Sequence, residues 1–230
     1  MMIHLIWLLT VLSPMQATDP LEQYRAGAIA KWENAIQKLE KLDQEQTDPE
    51  HAVLFVGSSS IVLWKDIAQD MAPYATIRRG FGGSKFSDVA VYIDRLVKPH
   101  QFDAVALFVA NDISGSKTDK TPEEVLRLVD ITVNKIKEHA PDASVFLIAI
   151  TPTPARFGAW EQINQVNTLM SEYSHEHEGV YYIDTVSSYL DADGTPIKDY
   201  FIKDGLHQNR NGYQLWAQII KAALKPVLDR

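Results

Sequence analysis

The sequence predicts an α/β fold in which a parallel sheet is covered by helices on both faces, within a single domain. Two observations carry this. Runs that are apolar throughout recur at residues 52–56, 104–109, 145–150 and 180–183, with a weaker one at 75–77. A strand buried on both faces reads this way, because neither of its sides can be polar. Between the runs, apolar residues fall at helical spacing, and strands alternating with helices imply a parallel sheet. A length of 230 residues suits one large domain with a substantial core, and no linker rich in Gly, Ser or Pro breaks the alternation.

Taken in order, residues 1–17 read as a leader outside the fold. Residues 3–12 (IHLIWLLTVL) are almost continuously apolar, Ser13-Pro14 ends the run, and Ala17 offers a small residue before a cut. The segment ahead of the run has His4 but no Lys or Arg. An apolar core of this length fits a secretory signal and falls short of the roughly 20 residues of a membrane helix; an uncleaved anchor and an ordinary buried segment are the alternatives. The expectation is a mature chain of residues 18–230, exported to the periplasm or the extracellular space, with no stable membrane span after cleavage. From residue 20 to 46, Leu21, Tyr24, Ala28, Trp32, Ile36 and Leu39 make a long amphipathic helix, placing a helical segment (18–48) against the rest. Further helices follow from Phe86, Val89, Ile93 and Leu96; from Val125, Leu128, Val129, Val133 and Ile136; and from Tyr213, Trp216, Ile220 and Leu224. Thr121-Pro122-Glu123-Glu124 marks one helix start, with Thr121 as cap, Pro122 in the first turn and Glu124 completing a capping box.

Composition removes several function classes. Asp and Glu number 30 against 22 Lys and Arg, for a formal net charge of -8, which opposes a sequence-tolerant nucleic-acid binder. The densest basic run is Arg78-Arg79. The absence of cysteine excludes disulfides, thiolate zinc sites, iron–sulfur clusters and a cysteine nucleophile.

In a parallel sheet, chemistry collects at the carboxyl ends of the strands, so the residues after each apolar run matter most. They are Gly57-Ser58-Ser59-Ser60, Gly80-Phe81-Gly82-Gly83-Ser84 and Asn111-Asp112. A serine at a strand-to-helix turn can present its hydroxyl as a nucleophile, although the same block also suits helix capping or phosphate binding. Asp204-Gly205-Leu206-His207 can pair a carboxylate with one imidazole nitrogen and leave the other for a serine, or it is a chance pair in a polar loop. Asn111 and a backbone N–H of Gly82-Gly83 qualify as donors to an oxyanion, as they also qualify for turn and packing roles.

Together the four blocks, in this order, resemble the SGNH (GDSL-type) hydrolases. AVLFVGSSSIVLW, RGFGGSKFSDV, ANDISGSKTDKTPEEV, TPTPAR and KDGLHQNRNGYQLW resemble the bacterial esterase and lipase subgroup bearing GSSSI, over roughly residue 52 to the C-terminus. The resemblance implies a three-layer α/β/α sandwich, flavodoxin-like, with five parallel strands. It implies Ser59 as nucleophile, Asp204 and His207 as the other triad members, and an oxyanion hole of Ser59 N–H, Gly83 N–H and the Asn111 amide. Two positions depart from the family pattern: Val109 stands where glycine is usual, and Arg78 where asparagine is.

Other signals carry less. His175-Glu176-His177 reads as a solvated loop rather than a metal site, and the sequence has no His-Glu-x-x-His, Walker loop, dinucleotide fingerprint or Gly-x-Ser-x-Gly elbow. Arg156 follows a strand within TPTPAR; a substrate contact is one reading of it, and an exposed surface arginine the commoner one. The expected activity is a serine esterase acting without metal or organic cofactor on a small-molecule or glycan ester, either acetylated carbohydrate or short-chain lipid. The rivals are a non-catalytic module binding acylated glycans on the same scaffold, and a flavodoxin-like protein that uses the serine loop for phosphate.

Overall fold

The computed structural model describes residues 19–229; the expected leader, residues 1–17, lies outside them. Five parallel strands form one sheet: β1 (Val53–Gly57), β2 (Thr76–Gly80), β3 (Ala104–Phe108), β4 (Ser144–Ile148) and β5 (Val180–Ile183), in the order β2-β1-β3-β4-β5. Period-two alternation divides the strand side chains between two cores. Leu54, Val56, Val105, Leu107, Val145 and Leu147 face one, while Val53, Phe55, Ala106, Phe108, Phe146 and Ile148 face the other. The first core is closed by α1 (Glu22–Glu45), α4 (Phe86–Val97), α5 (Pro122–His139) and α6 (Trp160–Glu176), packed side by side in that order. The second is closed by α2 (Ser59–Leu63), α3 (Ile67–Asp70) and α7 (Arg210–Leu228). The three-layer α/β/α arrangement is therefore the one the sequence predicts.

Burial of these side chains dominates stability, at about 1.5–3 kcal/mol each. The half-exposed ion pairs of Arg95 on α4 with Glu33 and Glu40 on α1 add roughly 0–1 kcal/mol apiece and chiefly set helix register. Under α7, Trp216 meets the edge of Phe108 at 4.7 Å and tilts against Trp64 at 5.3 Å, so the last helix is seated directly below the end of β3.

The structure differs from the sequence reading in three places. Strand β2 runs past the apolar residues 75–77 through Arg78 and Arg79. A buried arginine is tolerated there because Asp43 of α1 binds its Nε at 2.5 Å, while Arg78 donates to the carbonyls of Val62 and Trp64 at 3.1 and 2.9 Å and so holds the end of α2. Helix α6 was not among the helices read from periodicity. Its buried stripe contains Asn167, whose amide accepts from the Ile150 N–H at 2.7 Å and donates to the Ile150 carbonyl at 3.0 Å. At the start of α5, Thr121 accepts from the Glu124 N–H at 3.2 Å, but the Glu124 carboxylate turns outward to accept the Tyr24 hydroxyl at 2.6 Å, so the capping box is half made.

Among the described residues no helix is long and apolar enough to cross a membrane. The tightest backbone approach lies at the end of β1, where a Cβ on Gly57 would stand 2.0 Å from the Phe108 carbonyl oxygen. Gly57→Ala should therefore force β1 and β3 apart and destabilise by about 1–3 kcal/mol or more. Thermal unfolding checks this, with roughly 2–4 °C of Tm lost per kcal/mol at this chain length; an unchanged Tm would contradict the packing described.

Candidate active site

Strand β1 ends at Gly57, and the chain turns at once into α2 with Ser58 as the residue before the helix. The Ser58 N–H donates to the Phe108 carbonyl at 3.0 Å, which ties this turn to the end of β3. Of the three serines, Ser58 and Ser60 are buried and only Ser59 is half-exposed. Ser59 opens the helix and its Oγ reaches the cavity described below.

His207 arrives from the opposite end of the chain on a small hairpin. The backbone pairs Phe201 with Gln208, the Ile202 N–H donates to the His207 carbonyl at 2.9 Å, and Gly205 makes the reversal with φ of 63°. Immediately after it, Asn209 caps α7 by accepting from the N–H groups of Asn211 and Gly212 at 2.9 and 3.1 Å. The cap fixes where α7 begins, and with it the height of the histidine above the sheet.

The result is a line of three side chains. Asp204 Oδ2 lies 2.6 Å from His207 Nδ1, and His207 Nε2 lies 3.0 Å from Ser59 Oγ. The other Asp204 oxygen accepts from the N–H groups of Leu206 and His207, both at 2.9 Å. Burial acts to raise the Asp204 carboxyl, but the hydrogen bonds from the His207 ring and from the two N–H groups outweigh it and hold the carboxyl at about 2. A carboxylate so held keeps its proton off and fixes hydrogen on Nδ1, which leaves Nε2 as the acceptor facing Ser59.

These groups border a cavity of about 20 Å³, walled by Ser59, Asn111, Ile150, Thr151, Thr153, Arg156 and His207 among others. Asn111 and Asp112 follow β3 and divide their tasks. The Asp112 carboxylate is buried, accepts the Phe86 N–H at 2.8 Å where α4 begins, and has the Lys120 ammonium 3.2 Å away. Burial pushes its carboxyl up, against the opposing pull of Lys120. Asn111 faces the cavity, and its Nδ2 donates to the Ser84 carbonyl at 3.0 Å. Gly83 is not on the cavity wall; it sits one residue before Ser84, with φ of 78° and Trp32 of α1 behind it. Ser59, Asp204, His207 and Asn111 are thus brought together, and Gly83 is joined to them through its neighbour.

Four further residues stand at the cavity; of these the sequence offers only Arg156 as a substrate contact, and favours the surface for it. Arg156 is half-buried rather than at the surface, and it bonds the Ala110 carbonyl and the Asn111 side chain. The hydroxyls of Thr151 and Thr153, and Nε2 of Gln208, are buried without a protein partner. The signal that was available was TPTPAR itself, a polar block at the end of a buried strand. His177 is engaged elsewhere: its ring stacks on Tyr173 at 3.8 Å and bonds the Tyr173 carbonyl, and among the described residues no cluster of three or more His, Asp or Glu could hold a metal ion.

Comparison with known proteins agrees with this architecture. The sequence model of the GDSL-like lipase/acylhydrolase family matches residues 56–215. No curated protein matches the chain. Among solved structures, a Streptococcus pneumonia protein provisionally described as a platelet activating factor superposes with a TM-score of 0.74 at 19% identity, over 90% of this chain and 97% of that one. A GDSL-like lipase from Bacteroides thetaiotaomicron gives 0.65 at 16% identity, over 84% and 97%. A family 3 carbohydrate esterase from Talaromyces cellulolyticus gives 0.59 at 18% identity, over 77% and 98%. At these identities the likeness is one of fold.

Proposed function

The chain belongs to the GDSL-like lipase/acylhydrolase family, and on that premise we propose that it is a serine esterase of the GSSS-bearing subgroup that removes short acyl groups, acetyl foremost, from a carbohydrate or other small alcohol. Ser59 Oγ attacks the ester carbon while His207 Nε2 takes its proton. The carbonyl electron pair moves onto oxygen, which is held by the Ser59 N–H and the Asn111 amide; Gly83, which is off the cavity wall, is the least direct of the three proposed donors. Collapse breaks the bond to the alcohol, which leaves with the proton from His207. Water then repeats the sequence on the acyl-enzyme, releasing the acid and restoring Ser59.

The observation that carries this reading is the continuous Asp204–His207–Ser59 hydrogen-bonded line opening into so small a cavity. The distance of 3.0 Å from base to nucleophile lies within the range for direct proton transfer. A volume of about 20 Å³ exceeds by little the roughly 10–15 Å³ that one water requires, which favours a small acyl group such as acetyl. A series of 4-nitrophenyl esters, run beside acetylated oligosaccharides, tests this. The ratio kcat/KM should be greatest for acetyl and fall about tenfold or more by butyryl, the effect of overfilling a packed pocket. Highest activity on hexanoyl or longer esters would refute the short-acyl assignment.

A further inference from the structure

Arg156 makes two bonds that the esterase reading leaves unexplained. One Nη donates to the backbone carbonyl of Ala110, and the other to Asn111 Oδ1 at 2.7 Å. Burial works against its charge, with Asp119 and Asp112 partly offsetting this, and among the described residues no carboxylate lies within ion-pair distance. A guanidinium half-withdrawn from water without a counter-ion is costly unless its acceptors matter.

From this geometry we propose that Arg156 is a positioning residue that locks the Asn111 amide as an oxyanion donor. The inference rests on the esterase reading above. A primary amide can present either its oxygen or its NH₂ to a given side, and only the NH₂ stabilises an oxyanion. Here Oδ1 is held by the guanidinium and one Nδ2 hydrogen by the Ser84 carbonyl at 3.0 Å. Rotating the amide by half a turn would set NH₂ against guanidinium and oxygen against carbonyl, so both contacts would turn from attractive to repulsive. The second Nδ2 hydrogen is left as the group to offer the cavity. A charged donor on Oδ1 also polarises the amide and strengthens that hydrogen as a donor. The bond to Ala110 fixes the backbone one residue earlier, at the turn that aims Asn111.

The placement of Arg156 links it to the other half of the site. It lies in the 3-10 turn Pro154–Ala159, where the Ala155 N–H donates to the Gly205 carbonyl at 2.9 Å. Gly205 belongs to the reversal between Asp204 and His207. One short segment therefore spans the base and the oxyanion donor, and holds their separation.

A double-mutant cycle over Arg156 and Asn111, with 4-nitrophenyl acetate as substrate and thermal unfolding measured in parallel, tests the proposal. Asn111→Ala should lower kcat about 10²–10³-fold. Arg156→Ala should lower kcat roughly 10- to 100-fold with KM little changed, the range for losing a hydrogen bond to a charged group. In the Asn111→Ala background the same arginine change should cost less than about threefold, because the group it positions is gone. Arg156→Lys, with a single ammonium in place of a fork, should fall between wild type and Arg156→Ala; it also supplies the reading should the alanine variant not fold. Equal losses in both backgrounds, or a loss confined to KM, would overturn positioning and make Arg156 a substrate contact. Near-normal kcat in Asn111→Ala would likewise overturn it. The esterase reading itself fails separately, if the wild-type protein hydrolyses none of the esters.

Discussion

Ser59→Ala is expected to reduce kcat by about 10⁶-fold, the scale of loss when the serine of a triad is removed. The reason lies in what the cavity offers otherwise. Ser58 and Ser60 flank Ser59, yet both are buried, and only Ser59 Oγ lies against His207 Nε2, at 3.0 Å. Neither neighbour can take the proton path without unwinding α2, whose start is tied to β3 through Ser58 and whose end is held by Arg78. An organophosphonate probe should accordingly add its mass to the peptide containing Ser59 in wild type, and in Ser58→Ala and Ser60→Ala, but not in Ser59→Ala. Residual turnover in Ser59→Ala of 10³–10⁴-fold above water would still be consistent, since bound donors and proximity survive the change. Labelling that persists in Ser59→Ala would remove it as nucleophile. A wild-type protein that binds acetylated glycan but neither hydrolyses it nor takes the probe would instead favour the binding module.

The parts of this site that were legible in the sequence are those whose position follows from topology alone. Ser59 and His207 stand 148 residues apart, but each lies at the carboxyl edge of the sheet, and an alternating α/β chain returns to that edge after every strand. Side chains whose role depends on where a long group bends were not legible. Arg156 looks like any loop arginine until the 3-10 turn carries its guanidinium back over Ala110 and Asn111. Asn167 hides α6 from a hydrophobic count because its amide satisfies the backbone of Ile150 in the core. Arg79 shortens the apparent β2 for a related reason, since its partner Asp43 lies on a helix 36 residues away. Each is a polar group made tolerable inside by one specific partner, and such pairings are invisible to periodicity.

Asp204→Asn should reduce kcat by about 10⁴-fold, and His207→Ala by about 10⁶-fold, for different physical reasons. Without the imidazole there is no acceptor for the Ser59 proton. With asparagine at 204 the acceptor remains but is misassigned: the new NH₂ can donate to Nδ1, which drives the ring hydrogen to Nε2 and turns the base facing Ser59 into a donor. Asp204 prevents this only while ionised. Its folded carboxyl, at about 2, lies below the ordinary aspartate value of about 3.9, so folding favours the charged form. The stability linked to that difference is complete above about pH 4 and is lost as pH falls toward 2. Since Asp204 is half-exposed, its larger consequence is for catalysis rather than for folding. Between pH 5 and 9 the wild-type profile of kcat/KM should thus show no inflection from this carboxylate, whereas Asp204→Asn should lie far below it across the whole interval with little change in Tm. An Asp204→Asn variant that recovered wild-type turnover anywhere in that interval would mean that His207 is oriented by some other group.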